Sequence, residues 1–510
     1  MSPAVPASSL NAARRAADLA ALERDPRVDV LVVGGGVTGA GVALDAASRG
    51  LSTVLVERHD LAFGTSRWSS KLVHGGLRYL ARGQIGIAYE SARERDVLMR
   101  VTAPHLIRPL PMVIPVHRGT GPARALFVRA GAGLGDLLRV LASTPADVLP
   151  RPRLLNARQT LRLLPGVARK GLLGGILSFD GQLVDDARLV VGLARTAAGE
   201  GARILTRCSA ESVSADGAVL RDGVTGRILP VRPRAIVNAT GVHADRLDPH
   251  VRLRPSRGSH LVFDAAALGH PKAALTVPVD GGTGRFVFAL PQQDGRVLAG
   301  LTDEPVDGDA PAVPDVPEDD VDFLLGQFNR ALETRLGRDD VIGAFAGLRP
   351  LVYGTGDSAD LSREHSVTVS PNGVVTVVGG KLTTYRAMAE QAVDTAVRAH
   401  RLSAGPCRTR SLPLVGAASP QELDEVDAPP RLVARYGTEA PRVLAEAEGD
   451  PARLAPIVRG VTGAELRFGV RHEGAMDTDD LLDRRTRVGL VPAERAGAER
   501  AAEEALAAAR

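Results

Sequence analysis

Two kinds of side chain recur in this sequence where proton transfer on an anionic molecule would need them. The stretch Ser69–Leu80, SSKLVHGGLRYL, sets Lys71, His74 and Arg78 among glycines and aliphatics. An imidazole titrates near pH 6.5, so a histidine is largely neutral at physiological pH and can accept a proton. Cationic neighbours can hold an anion, and a guanidinium does so through a planar donor fork that suits phosphate oxygens. A second histidine, His260, stands in RGSH, and further cations sit in short motifs: Arg349 in GLRPL, Arg363, and Lys381 in VVGGKLTTYRAMAE. In an arginine-rich chain a lone Arg is ordinarily a surface cation or ion-pair partner, so these residues carry weight only as a set.

The elements that must position such a set begin upstream, in VDVLVVGGGVTGAGVALDAASRGLSTVLVERHD. Val28–Val33 is the β-branched run of a buried parallel strand. It ends at Gly34, Gly36 and Gly39, spaced as G-x-G-x-x-G. Gly34 permits the tight turn, Gly36 lets the backbone approach a pyrophosphate, and Gly39 allows close helix–strand packing. The spacing predicts a helix over Thr38–Ser48, whose N-terminal amides and dipole favour phosphate. A second strand, Ser52–Val56, ends at Glu57, 21 positions after Gly36 and placed to bind a ribose hydroxyl. That carboxylate disfavours NADP, whose 2′-phosphate would face a like charge, but the motif alone does not separate FAD from NAD.

Bulk properties bound the rest. A chain of 510 residues is expected to form two or three domains. With 44% apolar and 24% charged residues it has the composition of an ordinary globular protein. A net charge of +4 and an aromatic content of 3% give no footprint for nucleic acid. Cys208 and Cys407 match no metal spacing and are expected to be idle thiols in a reducing compartment. No histidine cluster suggests a metal, and no G-x-S-x-G elbow occurs. No run approaches the ~20 apolar residues that span a bilayer, and the N-terminus lacks a secretory core, so a cytoplasmic location is expected.

FGTSRWSSKLVHGGLRYL after a nucleotide fold closely resembles the FAD-dependent glycerol-3-phosphate dehydrogenases. LSFDGQLVDDARL, NATGVHAD, RGSHLVF, GLRPL and VVGGKLTTYRAMAE are similar to segments of that family and follow in its order. ELRFGVRHEGAMDTDDLLDRRTRVGL resembles its helical C-terminal domain. The resemblance implies an α/β fold: a discontinuous Rossmann-like FAD-binding domain, an inserted β-rich substrate domain and a helical C-terminal domain. The expected boundaries are a leader over 1–27, an oxidoreductase unit over 28–400 and the C-terminal domain over 401–510. Within the unit, FAD-binding segments are placed at about 28–100, 170–250 and 340–400, with substrate-domain segments at about 101–169 and 251–339. Local patterns agree. Ala235–Ala239 and Val374–Val378 read as strands, and RFVFALPQQDGRVLAGLTD, from Arg285, reads as a hairpin turning at Asp294-Gly295.

The implied activity is oxidation of sn-glycerol 3-phosphate to dihydroxyacetone phosphate, with hydride passing to FAD and electrons on to a quinone. Such chemistry needs a base for the hydroxyl proton, cations for a phosphate of roughly two charges, and a reacting carbon held in place. His74 is favoured as the base, with His260 the competitor; spacing excludes neither. Arg349 leads the phosphate clamp, with Arg78, Arg363 and Lys381 as further candidates and Tyr79 and Tyr385 as hydrogen-bonding or packing residues. Lys381 has a second role open to it, stabilising charge on the reduced flavin. Cofactor contacts are expected from Gly34, Gly36, Gly39, Glu57, Ser66, Ser69, Ser70, Lys71, His74, Gly75, Gly241, Gly380, Lys381, Leu382 and Thr383. Asp180, Asp185 and Asp186 need no more than capping and loop anchoring. An oxidase that reduces oxygen and a non-catalytic flavin-fold docking protein stay open as alternatives. The partners that go with the resemblance are glycerol 3-phosphate, a quinone, an anionic membrane surface touched peripherally and a second copy of the chain.

Overall fold

The computed structural model describes residues 6–76, 84–118, 133, 136–214, 216–279, 285–352 and 365–508. Two large sheets organise it. The first runs, edge to edge, His365–Val369, Val375–Gly379, Ile228–Asn238, Arg27–Val33, Thr53–Val56 and Arg203–Leu205. All pairings along it are parallel except the outermost, between His365–Val369 and Val375–Gly379. A hairpin of Cys208–Ser214 and Gly217–Asp222 extends the first half of Ile228–Asn238. Successive residues of the central strand go to opposite cores. Val30 and Val32 pack with the helices Val37–Ser48, Asp186–Gly199 and Tyr385–His400, whereas Leu31 and Val33 pack on the other face. Where a strand is buried on both sides it must be apolar at every position, which is why Val30–Val33, VLVV, reads as a run and not an alternation.

The expected leader forms a helix, Ala12–Arg24, capped by the Asn11 side chain on the Arg14 amide. Leu19 and Leu22 are buried with Leu31, Val33, Val54 and Val56, so this helix covers the second face of the sheet. Arg15 pairs with Asp222 at 2.5 Å, and Leu10 exchanges backbone hydrogen bonds with the segment around His472–Gly474.

Among the described residues the second sheet has ten strands. Its spine runs Glu304–Pro305, Ser256–Asp264, Arg296–Gly300, Phe286–Pro291, Ala274–Pro278, Ile107–His117, Leu172–Leu183 and Leu72–Val73. Val341–Arg349 pairs along the free side of Ser256–Asp264, and Arg153–Asn156 along Leu172–Leu183. The predicted hairpin is present: Phe286–Pro291 and Arg296–Gly300 pair antiparallel around Asp294-Gly295. The Pro- and Asp-rich stretch over 303–319 ends in a helix, Glu318–Asn329, whose first turn carries Glu318, Asp319 and Asp320, the sign its dipole favours. The two sheets interleave along the chain: Leu72–Val73 and Leu172–Leu183 belong to the second sheet, yet in sequence each lies between strands of the first.

The C-terminal region holds the helices Pro430–Tyr436, Gly463–Glu473 and Pro492–Ala507 around its own apolar clusters. Its seam with the nucleotide lobe is built from buried ion pairs. Asp60 accepts from Arg484 and Arg485 at 2.7 Å each, and Arg188 meets Glu473 through two 2.7 Å hydrogen bonds. Arg435 donates to Asp185 at 3.0 Å. Removing one partner of such a pair strands a buried charge at a cost of about 3–5 kcal/mol, so the seam holds as a unit. Among the described residues no helix is long and apolar enough to cross a membrane.

Candidate active site

A cavity of about 780 Å³ lies between the two sheets. At one end it is floored by the turn from Arg27–Val33 into Val37–Ser48. Gly34 adopts φ +113°, and a Cβ there would stand 2.6 Å from the Ala239 carbonyl oxygen. A Cβ on Gly39 would fall 1.8 Å from the Gly34 carbonyl oxygen, so helix and strand approach this closely only with glycine at both positions. Glu57 closes the end of the neighbouring strand. Its Oε2 accepts the Gly35 amide at 2.7 Å and its Oε1 the His59 amide at 2.8 Å. Ser66 Oγ accepts the Val37 amide at 2.9 Å, satisfying one of the open donors of a helix whose own N-cap, Gly36, has no side chain to do so. Gly34, Gly36, Val37 and Thr38 line the cavity at this turn, a backbone cradle suited to a pyrophosphate.

The other end is assembled from distant segments. Leu72–Val73 pairs antiparallel with Leu172–Leu183, Val73 opposite Gly181, which brings His74 beside Asp180. His74 Nδ1 lies 3.3 Å from Asp180 Oδ2, and the His74 amide donates to Thr383 Oγ1 at 3.1 Å. The ring is 43% exposed and borders the cavity. His260 sits in the middle of Ser256–Asp264, its ring stacked on Phe345 at 4.7 Å and its Nε2 2.9 Å from Ser70 Oγ. Burial, with the Lys71 and Arg349 cations adding to it, pushes His260 down to about 3, so it is a neutral imidazole at physiological pH. A group so reluctant to be charged is a poor proton acceptor, and the two histidines are thereby separated by environment.

Arg349 ends its strand at the same cavity. Its Nη1 donates to Asp303 Oδ1 at 3.0 Å and Ser256 Oγ at 3.1 Å, and Nη2 to the Thr302 carbonyl at 3.2 Å. These contacts hold the guanidinium plane in one orientation. Lys381 follows Gly379 and Gly380, both at positive φ, and its Nζ meets Ser91 Oγ at 2.8 Å. Among the described lining residues, Arg58, Arg95, Arg139, Arg246, Arg285, Arg349 and Lys381 outnumber Glu57, Asp136, Asp180 and Asp303. The balance is that of a site for anions.

The glycine cradle, Glu57 and this cationic surplus fit a flavin dinucleotide. A family described as FAD dependent oxidoreductase matches residues 29–395, and one described as the C-terminal domain of alpha-glycerophosphate oxidase matches residues 407–509. Glycerol-3-phosphate dehydrogenase 1 of Mycobacterium tuberculosis is 53% identical over 498 residues, covering 96% of each chain. The chain belongs to the FAD-dependent glycerol-3-phosphate dehydrogenase family. Glycerol-3-phosphate dehydrogenase 2 of the same organism is 37% identical over 95% of this chain and 85% of that one. The solved structure of the glycerol-3-phosphate dehydrogenase from Bacillus halodurans, complexed with FAD, superposes with a TM-score of 0.76 at 28% identity, covering 98% of this chain and 94% of that one. The chain is therefore an FAD-dependent oxidoreductase, and its fold is the expected one, a Rossmann-like lobe with a β-rich second sheet and a helical C-terminal domain.

Within this family fold, the residues expected at the site fall into four groups. Gly34, Gly36, Glu57, Ser66, Ser69, Ser70, His74 and Gly75 line the cavity, as do Gly241, His260, Arg349, Gly380, Lys381, Leu382 and Thr383. Gly39 lies behind the cradle as a packing residue. Two expectations are corrected. Lys71, at φ +55°, turns away beneath the cavity to pair with Asp186 at 2.9 Å, and burial lowers it to about 8 against the pull of that carboxylate. Tyr385 is buried at the start of the helix Tyr385–His400, where its ring abuts Gly41, and it is not among the residues that line the cavity. Arg78, Tyr79 and Arg363 lie outside the described residues. Arg95, Arg285 and Asp180 border the cavity without having been assigned to it from sequence. Arg95 and Arg285 occupy an ordinary helix and a hairpin start and carry no local signal. Asp180 stands in LSFDGQLVDDARL, where its spacing asks for no more than an anchoring role.

Proposed function

We propose that this enzyme oxidises sn-glycerol 3-phosphate to dihydroxyacetone phosphate and passes the electrons to a quinone. The observation that carries the reading is that His74 and Arg349, 275 positions apart in the chain, border one cavity with the glycine cradle. FAD supplies the acceptor for the hydride that leaves the substrate carbon. His74 takes the hydroxyl proton at Nε2, the ring nitrogen left over once Nδ1 faces Asp180. Arg349, pre-oriented by Asp303 and Ser256, binds the phosphate with Arg285 and Lys381 as neighbouring cations. His260, kept neutral, offers a hydrogen bond through Ser70 and takes no proton. The β-rich sheet walls the reacting carbon from bulk water with Phe286 and Phe288, both at the cavity.

Anaerobic titration of the purified yellow protein with glycerol 3-phosphate tests the substrate. Bleaching of the long-wavelength flavin band is expected; an unchanged spectrum would defeat the reading. A second acceptor, oxygen, is favoured by the alpha-glycerophosphate oxidase description of the C-terminal family. Stopped-flow mixing of the reduced enzyme with oxygen separates the two, slow reoxidation being expected for a quinone-linked enzyme. A quinone acceptor also calls for approach to a membrane surface. Ile85, Leu137, Val140 and Leu141 are each more than half exposed on two neighbouring segments that share a small apolar core, which supports such a contact. Flotation with anionic liposomes at low and high salt, and the mass in solution, check the peripheral contact and the homodimer that go with this reading.

A further inference from the structure

We infer that Asp180 is a positioning residue for His74: it fixes the imidazole proton on Nδ1 and so leaves Nε2 as the proton acceptor. The inference deepens the proposed function and rests on it. Asp180 lies in Leu172–Leu183, and its carboxylate is enclosed by donors. Oδ1 accepts from Arg95 Nη1 at 2.7 Å, from the Gly75 amide at 3.0 Å and from the Gly181 amide at 3.1 Å. Oδ2 accepts from the Gly75 amide at 3.3 Å and faces His74 Nδ1 at 3.3 Å. An ionised carboxylate only accepts, so the nitrogen facing it must carry the proton. Burial alone would raise Asp180, but the Arg95 guanidinium and His74 outweigh it and hold the carboxyl below its ordinary range. Arg95 reaches this position because residue 75 is a glycine; a Cβ there would lie 2.1 Å from Arg95 Nη1. The His74 main chain is pinned separately by Thr383, so the carboxylate is left to govern the ring.

The arrangement distinguishes a carboxylate from its amide. In Asp180→Asn, Arg95 and the two glycine amides would draw the amide oxygen to their side. The NH2 group would then turn to His74 Nδ1 and drive the ring proton to Nε2, where it blocks proton acceptance. Asp180→Glu keeps an acceptor-only partner. In anaerobic reductive half-reactions, Asp180→Asn holoenzyme is expected to hold FAD and to keep half-saturating glycerol 3-phosphate within about threefold, while its limiting flavin reduction rate falls about 100-fold or more. Asp180→Glu should stay within about tenfold of wild type. In a His74→Ala background the same Asp180→Asn change should cost less than about threefold, because its only route is through the ring.

Reduction of Asp180→Asn at near wild-type rate would overturn the inference, as would an equal loss in both backgrounds or an effect confined to substrate affinity. If Asp180→Asn fails to hold FAD, Asp180→Glu decides: a rate near wild type supports the positioning role, and a hundredfold loss with flavin bound rejects it. Failure of the parent reading shows elsewhere, in a wild-type flavin that glycerol 3-phosphate does not bleach.

Discussion

The two ends of the cavity are built on opposite principles. The nucleotide end is built chiefly on one short stretch, residues 33 to 66, with Ala239 behind it, and works through what is missing: side chains at Gly34 and Gly39, whose absence lets strand, turn and helix close up beneath the floor. The substrate end is drawn from segments as far apart as His74, Asp180, His260 and Arg349 and works through side chains already engaged with one another. One end is a local shape; the other is a negotiated set of charges. The difference teaches that a cofactor site can be specified by spacing, whereas a reacting site depends on which partner each ionisable group finds.

Breaking the nucleotide end should have the largest effect. Gly39→Val puts a branched side chain where even a methyl group would fall 1.8 Å from the Gly34 carbonyl oxygen. The purified variant is expected to be colourless, with flavin absorbance per protein near zero. At the other end, Arg349→Leu would remove the charge-assisted hydrogen bonds proposed for the substrate phosphate while leaving the cradle intact. Half-saturating glycerol 3-phosphate should rise on the order of 100-fold with FAD content unchanged, a split that reductive titration reads directly.

The third test exploits His260. Its folded value near 3 lies below the unfolded value of 6.5, so below pH 6.5 the unfolded chain takes a proton that the folded chain refuses. The stability from keeping this ring neutral is present above pH 6.5 and is lost as pH falls toward 3. Between pH 7.5 and 5 the wild type should lose about 2 kcal/mol more than His260→Asn in paired urea unfolding curves. Equal pH dependence in the two proteins would show that His260 titrates normally. The smallest effect belongs to the nucleotide end again. Ser66→Ala leaves the Val37 amide without its 2.9 Å partner and should weaken FAD binding by about 1 kcal/mol, roughly a fivefold rise in the dissociation constant.

The same contrast explains what could be read from the amino-acid sequence. Strand, glycine turn, helix and Glu57 follow from local spacing, and the structure places them within a residue or so of expectation: Arg27–Val33 for Val28–Val33, Val37–Ser48 for Thr38–Ser48. Lys71 and Tyr385 went astray for a geometric reason. Each lies within two residues of a cavity residue in sequence, but Lys71 sits at a left-handed backbone turn and Tyr385 at the first position of a helix, so each side chain leaves in another direction. Asp180 was visible as part of a motif, yet its role appears only when Leu72–Val73 is laid against Leu172–Leu183. The buried arginine–carboxylate pairs of the C-terminal seam have no sequence signature, because burial and partner are both products of the fold.

That seam has a consequence for the order in which the protein can be completed. Asp60 lies three residues beyond Glu57, on the loop that leaves the nucleotide strand, and its guanidinium partners come 424 and 425 positions later. During synthesis from the N-terminus, the loop that follows Glu57 waits with an unbalanced carboxylate until nearly the whole polypeptide has emerged. A nascent chain that stops short of Arg484 thus lacks the counter-ions of a segment made at its very beginning, so the ion pairs of Asp60 are among the last contacts of the molecule that can form.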